Sequence, residues 1–141
     1  VSLLRNSVLG VAVASAAALG VLAAGTAEAA GTLFGTVTIS PGTGKVGLST
    51  DQRSWVAADA EAQRQCGEYD CQIQLRYSDG CAAVARGADG RFGWAAAGSR
   101  QEAEETAVAG LGESAPPFPD LGSASPRAAA VVAAACTENV R

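Results

Sequence analysis

Two spacings of apolar residues succeed one another along this chain, and each change of spacing marks a predicted element. From Leu33, the residues Leu33, Gly35, Val37 and Ile39 fall on one face and Thr36, Thr38 and Ser40 on the other, the period of a half-buried strand. Pro41-Gly42-Thr43-Gly44 is turn chemistry, and residues 45–49 return as the hairpin partner. A helix follows from Asp51 or Ser54, both acceptable N-caps, to Cys66, with Gly67 as its stop. Cys71, Ile73, Leu75 and Tyr77 then alternate with Gln72, Gln74 and Arg76 as a strand. Ser78-Asp79-Gly80 turns the chain into a returning strand over 81–86, and Ala88-Asp89-Gly90 turns it again into a strand over 91–96 carrying Phe92 and Trp94. Ser99-Arg100-Gln101-Glu102 has the form of a capping box and predicts a second helix ending near Gly110. Residues 112–126 hold Pro116, Pro117, Pro119 and Pro126 and read as an irregular loop, and the Ala-rich segment 127–141 as a last short helix over 127–136.

Thr43-Gly44-Lys45-Val46-Gly47 has an echo 46 positions on in Asp89-Gly90-Arg91-Phe92-Gly93: turn residue, Gly, cation, apolar, Gly. Each copy follows a strand and precedes a capped helix. A chain of this size supports one core, so the fold class is α+β. It should be a small, mostly antiparallel sheet shared by two hairpin-plus-helix units, with the helices on one face.

The segment before this domain has a different character. Arg5 precedes a nearly unbroken apolar run over 8–22, and Ala27-Glu28-Ala29 fits the small-x-small rule for signal cleavage. Residues 1–29 thus read as a signal peptide, with residues 30–111 as the exported α+β domain and no membrane association after cleavage. Export gives the four cysteines an oxidising compartment. Cys66, Cys71, Cys81 and Cys136 then read as two disulfides. If Tyr77 and Cys81 flank a tight turn, Cys71 lies too far up the opposite strand to reach Cys81. Two pairings remain open: Cys66–Cys71 with Cys81–Cys136, or Cys66–Cys81 with Cys71–Cys136.

The succession Thr43-Gly44…Gly47, Cys66-Gly67, Asp70-Cys71 and Cys81-Ala82-Ala83, then Asp89-Gly90-Arg91-Phe92-Gly93-Trp94 and Ser99-Arg100, resembles a bacterial secreted family catalogued as domain of unknown function 4189. The resemblance covers Phe34 to Leu111. It implies an exported, cysteine-containing domain and no established activity. After Leu111 the Pro-rich loop and Ala-rich tail stand where the resemblance implies a Cys-bearing helix end and a strand.

Composition narrows the chemistry. The chain has no His, which removes the commonest general base and the usual partner of Ser and Cys nucleophiles. With the cysteines oxidised, no thiolate is left. No metal site or cofactor is expected, because the cysteines lack zinc-ligand spacing. Net charge is −4 with the basic residues scattered singly, so no nucleic-acid surface is expected. Catalysis would fall to carboxylates, as in a hydrolase of extracellular polysaccharide, with Asp51, Asp59, Glu61, Asp70, Asp79 and Asp89 as candidates. The missing catalytic vocabulary favours a secreted binding or interaction module, outside the cell or at its envelope, with a protein or glycan partner. An inhibitor of a secreted hydrolase, inserting the loop 112–126, is a further alternative. Trp55 and Trp94 are the candidate ligand contacts, Trp94 being expected in the core beside Phe92 and Trp55 at the start of a helix.

Overall fold

The computed structural model describes residues 31–116 and 125–141; the expected signal peptide lies outside the described residues, as does most of the Pro-rich loop. The elements run β1 (Phe34–Ile39), β2 (Val46–Gln52), α1 (Trp55–Cys66), β3 (Gln72–Ser78), β4 (Cys81–Arg86), β5 (Phe92–Ala97), α2 (Arg100–Ala109), β6 (Glu113–Ser114), β7 (Arg127–Ala128) and β8 (Ala130–Cys136), with a closing 3-10 turn at Glu138–Val140. The α+β class is as expected, and every strand pairing is antiparallel.

The expected single shared sheet is replaced by two. One has the order β2-β1-β3 and the other β5-β4-β8, with β6 and β7 forming a small separate pair. Residues 71–77 and 81–86 are therefore not a hairpin: β3 pairs with β1, and β4 with β5 and β8. The two units are each ββαβ, and in each the last strand pairs with the first. Period-2 alternation identifies a strand without naming its partner, so the pattern over 71–77 does not reveal that β3 pairs with β1.

The sheets stack face to face. Val37, Ile39 and Tyr77 of the first meet Ala82 and Val84 of the second in one apolar cluster. The opposite face of the second sheet, Cys81, Ala83, Ala85 and Ala95, packs on Ala103 and Ala107 of α2. The opposite face of the first sheet, Thr36, Thr38 and Ser49, bonds to α1. The order of layers is thus α1, sheet, sheet, α2, and the helices lie on the two outer faces rather than on one.

Local chemistry starts and stops the helices. Ser54, not Asp51, caps α1 by accepting from the Ala57 amide, and Ser99 caps α2 by accepting from Glu102. Gly67 ends α1 in the left-handed conformation. The repeated glycines have one shared purpose. A Cβ at Gly47 would run into the Ala62 carbonyl of α1, and one at Gly93 would lie 2.7 Å from the Ala107 carbonyl of α2. Each unit needs a glycine where its helix backbone rests on its second strand.

The Ala-rich tail is a strand, not the expected helix. Alanine favours helices in isolation, but β8 lies beside the small side chains of β4, opposite Cys81, Ala82 and Ala83. Cys136 faces Cys81 directly in the ladder and bonds to it, while Cys66 bonds to Cys71. This is the first of the two open pairings. The Cys71–Cys81 bridge is absent: Cys71 precedes β3 of the first sheet, whereas Cys81 opens β4 of the second.

Candidate functional site

Because β1 lies over β4, the edge strands β3 and β5 lie along the same side of the sandwich and leave a seam between them. Trp94 comes from β5, opposite Val84 and on the face of Phe92, as the sequence pattern implied. It is not core: at the sandwich edge, 40% of its surface is exposed. Trp55, the first residue of α1, is 38% exposed and lies against Phe34 with ring centroids 4.5 Å apart. Its ring is therefore both packed and accessible.

The structure places the two tryptophans at separate grooves along the seam. Trp55 lines a groove of about 470 Å³ with Arg76 and Asp79 on one wall and Ala96 and Gly98 on the other. Trp94 lines one of about 320 Å³ with Ile39, Pro41 and Gln74. It also borders a smaller one of about 230 Å³ under α2, beside Thr106 and Leu111. Residues of β3 and β5 wall the two larger grooves. Gln74, Arg76 and Ala96 drew no attention in the sequence, because nothing in it revealed that β3 and β5 approach each other.

Cations near the seam are largely anchored. Arg76 donates to Asp59 at 2.7 Å, and Asp59 also accepts from the Thr36 hydroxyl. Arg91 pairs with Asp89. Arg86 sits 5.2 Å from the Phe92 ring centroid and has no ion pair among the described residues.

Each of the six candidate carboxylates is bound by donors, and two of them, Asp51 and Asp79, hold the same closing turn at 138–141. Asp51 accepts from the Glu138 amide and Arg141, Asp70 from the Ser40 hydroxyl and the Gly42 amide, and Asp79 from the Leu33 amide and Asn139. Glu61 accepts from Arg64. The hydrogen bond from Arg76 holds Asp59 below the usual carboxylate range, and Arg64 does the same for Glu61. The Ser40 hydroxyl lowers Asp70, the Leu33 amide lowers Asp79, and Arg91 lowers Asp89. These five groups are stabilised as anions, opposite to the raised pKa of a general acid. The cysteines are all in disulfides, and among the described residues no cluster of His, Cys, Asp or Glu could hold a metal.

Fold and site together define a small disulfide-bonded α+β domain made of two ββαβ units with an aromatic seam at one edge. The chain belongs to the family described as a domain of unknown function (DUF4189), whose model matches residues 34–136. The match runs through the tail to Cys136, so the Ala-rich segment is part of the family pattern and supplies, as β8, the strand that the resemblance implies after Leu111. The chain is also similar to the NMR structure of Rv1813c from Mycobacterium tuberculosis, with 21% identity over 96% of each chain and a TM-score of 0.51, a likeness of fold. The comparison with curated proteins finds no match.

Proposed function

We propose that this chain is an exported, non-enzymatic binding module that holds a protein or glycan ligand along the seam between β3 and β5. The observation that carries the reading is the pair of half-exposed tryptophans on that seam. Trp55 is already ordered by packing on Phe34, so ligand binding would bury its aromatic area at little further entropic cost. Small aromatic sets of this kind supply most of the energy in many interfaces. The alternative of a carboxylate hydrolase is disfavoured by the donor bonds that hold five of the candidate carboxylates as anions. Export is supported by the N-terminal pattern and by two disulfides, which persist in oxidising compartments. No helix among the described residues is long and apolar enough to cross a membrane.

The test is to probe a glycan array and a library of linear peptides with the oxidised protein and with its Trp55→Ala and Trp94→Ala variants. Either substitution should weaken the ligands found by about tenfold, the loss expected of an aromatic contact residue. Ligands indifferent to both substitutions would refute the seam as the binding surface. Material recovered from the culture medium should begin at Ala30.

A further inference from the structure

We propose that the seam receives an extended polypeptide segment that adds as a strand to the free edge of β5, with a carboxylate near the end that lies beside Phe92. This rests on the binding-module reading and narrows its ligand from protein or glycan to peptide strand.

The two three-stranded sheets present four edges: β2, β3, β5 and β8. Exposed edges invite a further strand, and native proteins blunt them with bulges, charges or covering side chains. In β2 the register slips where Phe34 faces Gln52 but Thr36 faces Ser49, and Asp51 there has a positive φ of 60°. In β3 an extra residue, Gln74, falls between the partners of Val37 and Thr38. In β8 the extra residue is Val132. The ladder of β5 on β4 alone runs without a slip. Side chains follow the same division. Gln65 bonds the Leu48 amide on β2, Gln74 the Gln72 carbonyl on β3, and Arg100 and Arg141 the Ala134 and Cys136 carbonyls on β8. Among the described residues no side chain bonds the backbone of β5. Its sequence, Phe-Gly-Trp-Ala-Ala-Ala, contains no charge and no proline.

Space and charge then select the occupant. An added strand points alternate side chains to opposite faces. The β5 edge has a cavity toward each: about 320 Å³ toward Ile39 and Gln74, and about 230 Å³ toward Thr106 and Ala107, with Phe92, Trp94 and Leu111 bordering both. A second copy of this chain fits poorly. Its own β5 carries Phe92 and Trp94 on one face but only Gly93, Ala95 and Ala97 on the other, so pairing two β5 strands would leave the α2-side cavity empty. The unpaired guanidinium of Arg86, over the Phe92 ring, is placed to take a carboxylate at that end of the strand.

The experiment selects linear peptides from a random display library on the oxidised full protein, then remakes the best binder with each backbone nitrogen methylated in turn. Strand addition predicts that methylation weakens binding about tenfold at every second position and is tolerated between them, since alternate amides face the β5 edge. Amide hydrogen exchange across Phe92–Ala97 should slow on binding. Ala96→Lys, at an exposed position, should weaken the peptide with the free protein's melting temperature unchanged. Arg86→Gln should weaken peptides with an acidic end and spare their amide analogues. A library that yields no binder, a methylation scan without alternation, or unchanged β5 exchange would overturn the proposal. So would a concentration-dependent dimer that protects β5 without peptide. A ligand that perturbs Trp55 and Trp94 but leaves β5 exchange untouched removes strand addition and keeps the binding-module reading. Ligands that perturb neither tryptophan remove both.

Discussion

The two ββαβ units share a frame and hold it together by different chemistry. In the first, α1 rests on hydroxyls: Thr38 donates to the Ala62 carbonyl at 3.0 Å, Ser49 to the Ala58 carbonyl at 2.8 Å, and Thr36 to Asp59. Thr36, Thr38 and Ser49 are fully buried. In the second, the same layer is alanine on alanine, and a disulfide ties its outer strand to its central one. The edges differ too. The second strand of the first unit, β2, is bulged and bonded by side chains; its counterpart β5 is straight and unbonded. A polar interface is directional and specifies one helix position, whereas a layer of methyl groups does so weakly. The covalent bond in the second unit supplies the constraint that its packing lacks. The comparison also singles out β5, which lacks the bulge and the side-chain bond that its twin carries.

Removing the disulfides should separate the units most strongly. Cys81–Cys136 closes 55 residues and Cys66–Cys71 only 5. In the loop-entropy account, replacing the first pair by Ala costs about 4 kcal/mol and the second about 2 kcal/mol. Urea denaturation of the two double variants measures both, and equal losses would show that loop closure is not what the long bridge contributes.

Glycine contacts give the next largest effect. Gly47→Ala drives a methyl into the α1 backbone with little room to yield and should cost about 3 kcal/mol. Gly93→Ala meets a looser contact, partly with the movable Leu111 side chain, and should cost about half as much. Melting temperatures in the reverse order would contradict the layer geometry. Thr38→Val, nearly isosteric, loses one hydroxyl bond and should cost about 1 kcal/mol. The counterpart of Thr38 in the second unit is Ala85, which faces Gly93 as Thr38 faces Gly47; Ala85→Ser adds a buried hydroxyl to an apolar layer and should be at least as costly.

The smallest effect concerns acid. Asp59 is held below the ordinary carboxylate range chiefly by Arg76, so its contribution to stability is complete above the unfolded-state pKa and is lost as pH falls through the lower folded value. Asp59→Asn should therefore flatten the acid limb of the stability curve below about pH 4 and leave its shape at neutral pH unchanged. An acid limb identical to that of the parent protein would show that the Asp59–Arg76 pair adds nothing to the first unit.

Much of the frame was legible. Residues 81–86 form a strand with those bounds, Ser54 and Ser99 cap the helices, and the two glycine motifs mark equivalent turns, since local backbone chemistry decides all of these. What escaped depends on distant partners. Thr36, Thr38 and Ser40 read as the polar face of a half-buried strand and are all buried, because Asp59, the Ala62 carbonyl and Asp70 accept from their hydroxyls. Residues 127–136 read as a helix, but Ala130–Cys136 is a strand, because it pairs with β4 along its length and is tied there by Cys81–Cys136. The site was half visible: Trp55 and Trp94 stood out by type, but the seam joining their grooves depends on β3 and β5 belonging to different sheets.

The claim that matters most is that the β5 side of the sandwich is open. Acrylamide quenching of the single-tryptophan variants Trp55→Phe and Trp94→Phe reads this in the free protein. Both remaining indoles should be quenched at rates intermediate between a buried and a fully solvated ring, with emission shifted to the red of a core tryptophan. A blue-shifted, unquenched Trp94 would mean that the edge is covered, and the proposed binding surface would be lost.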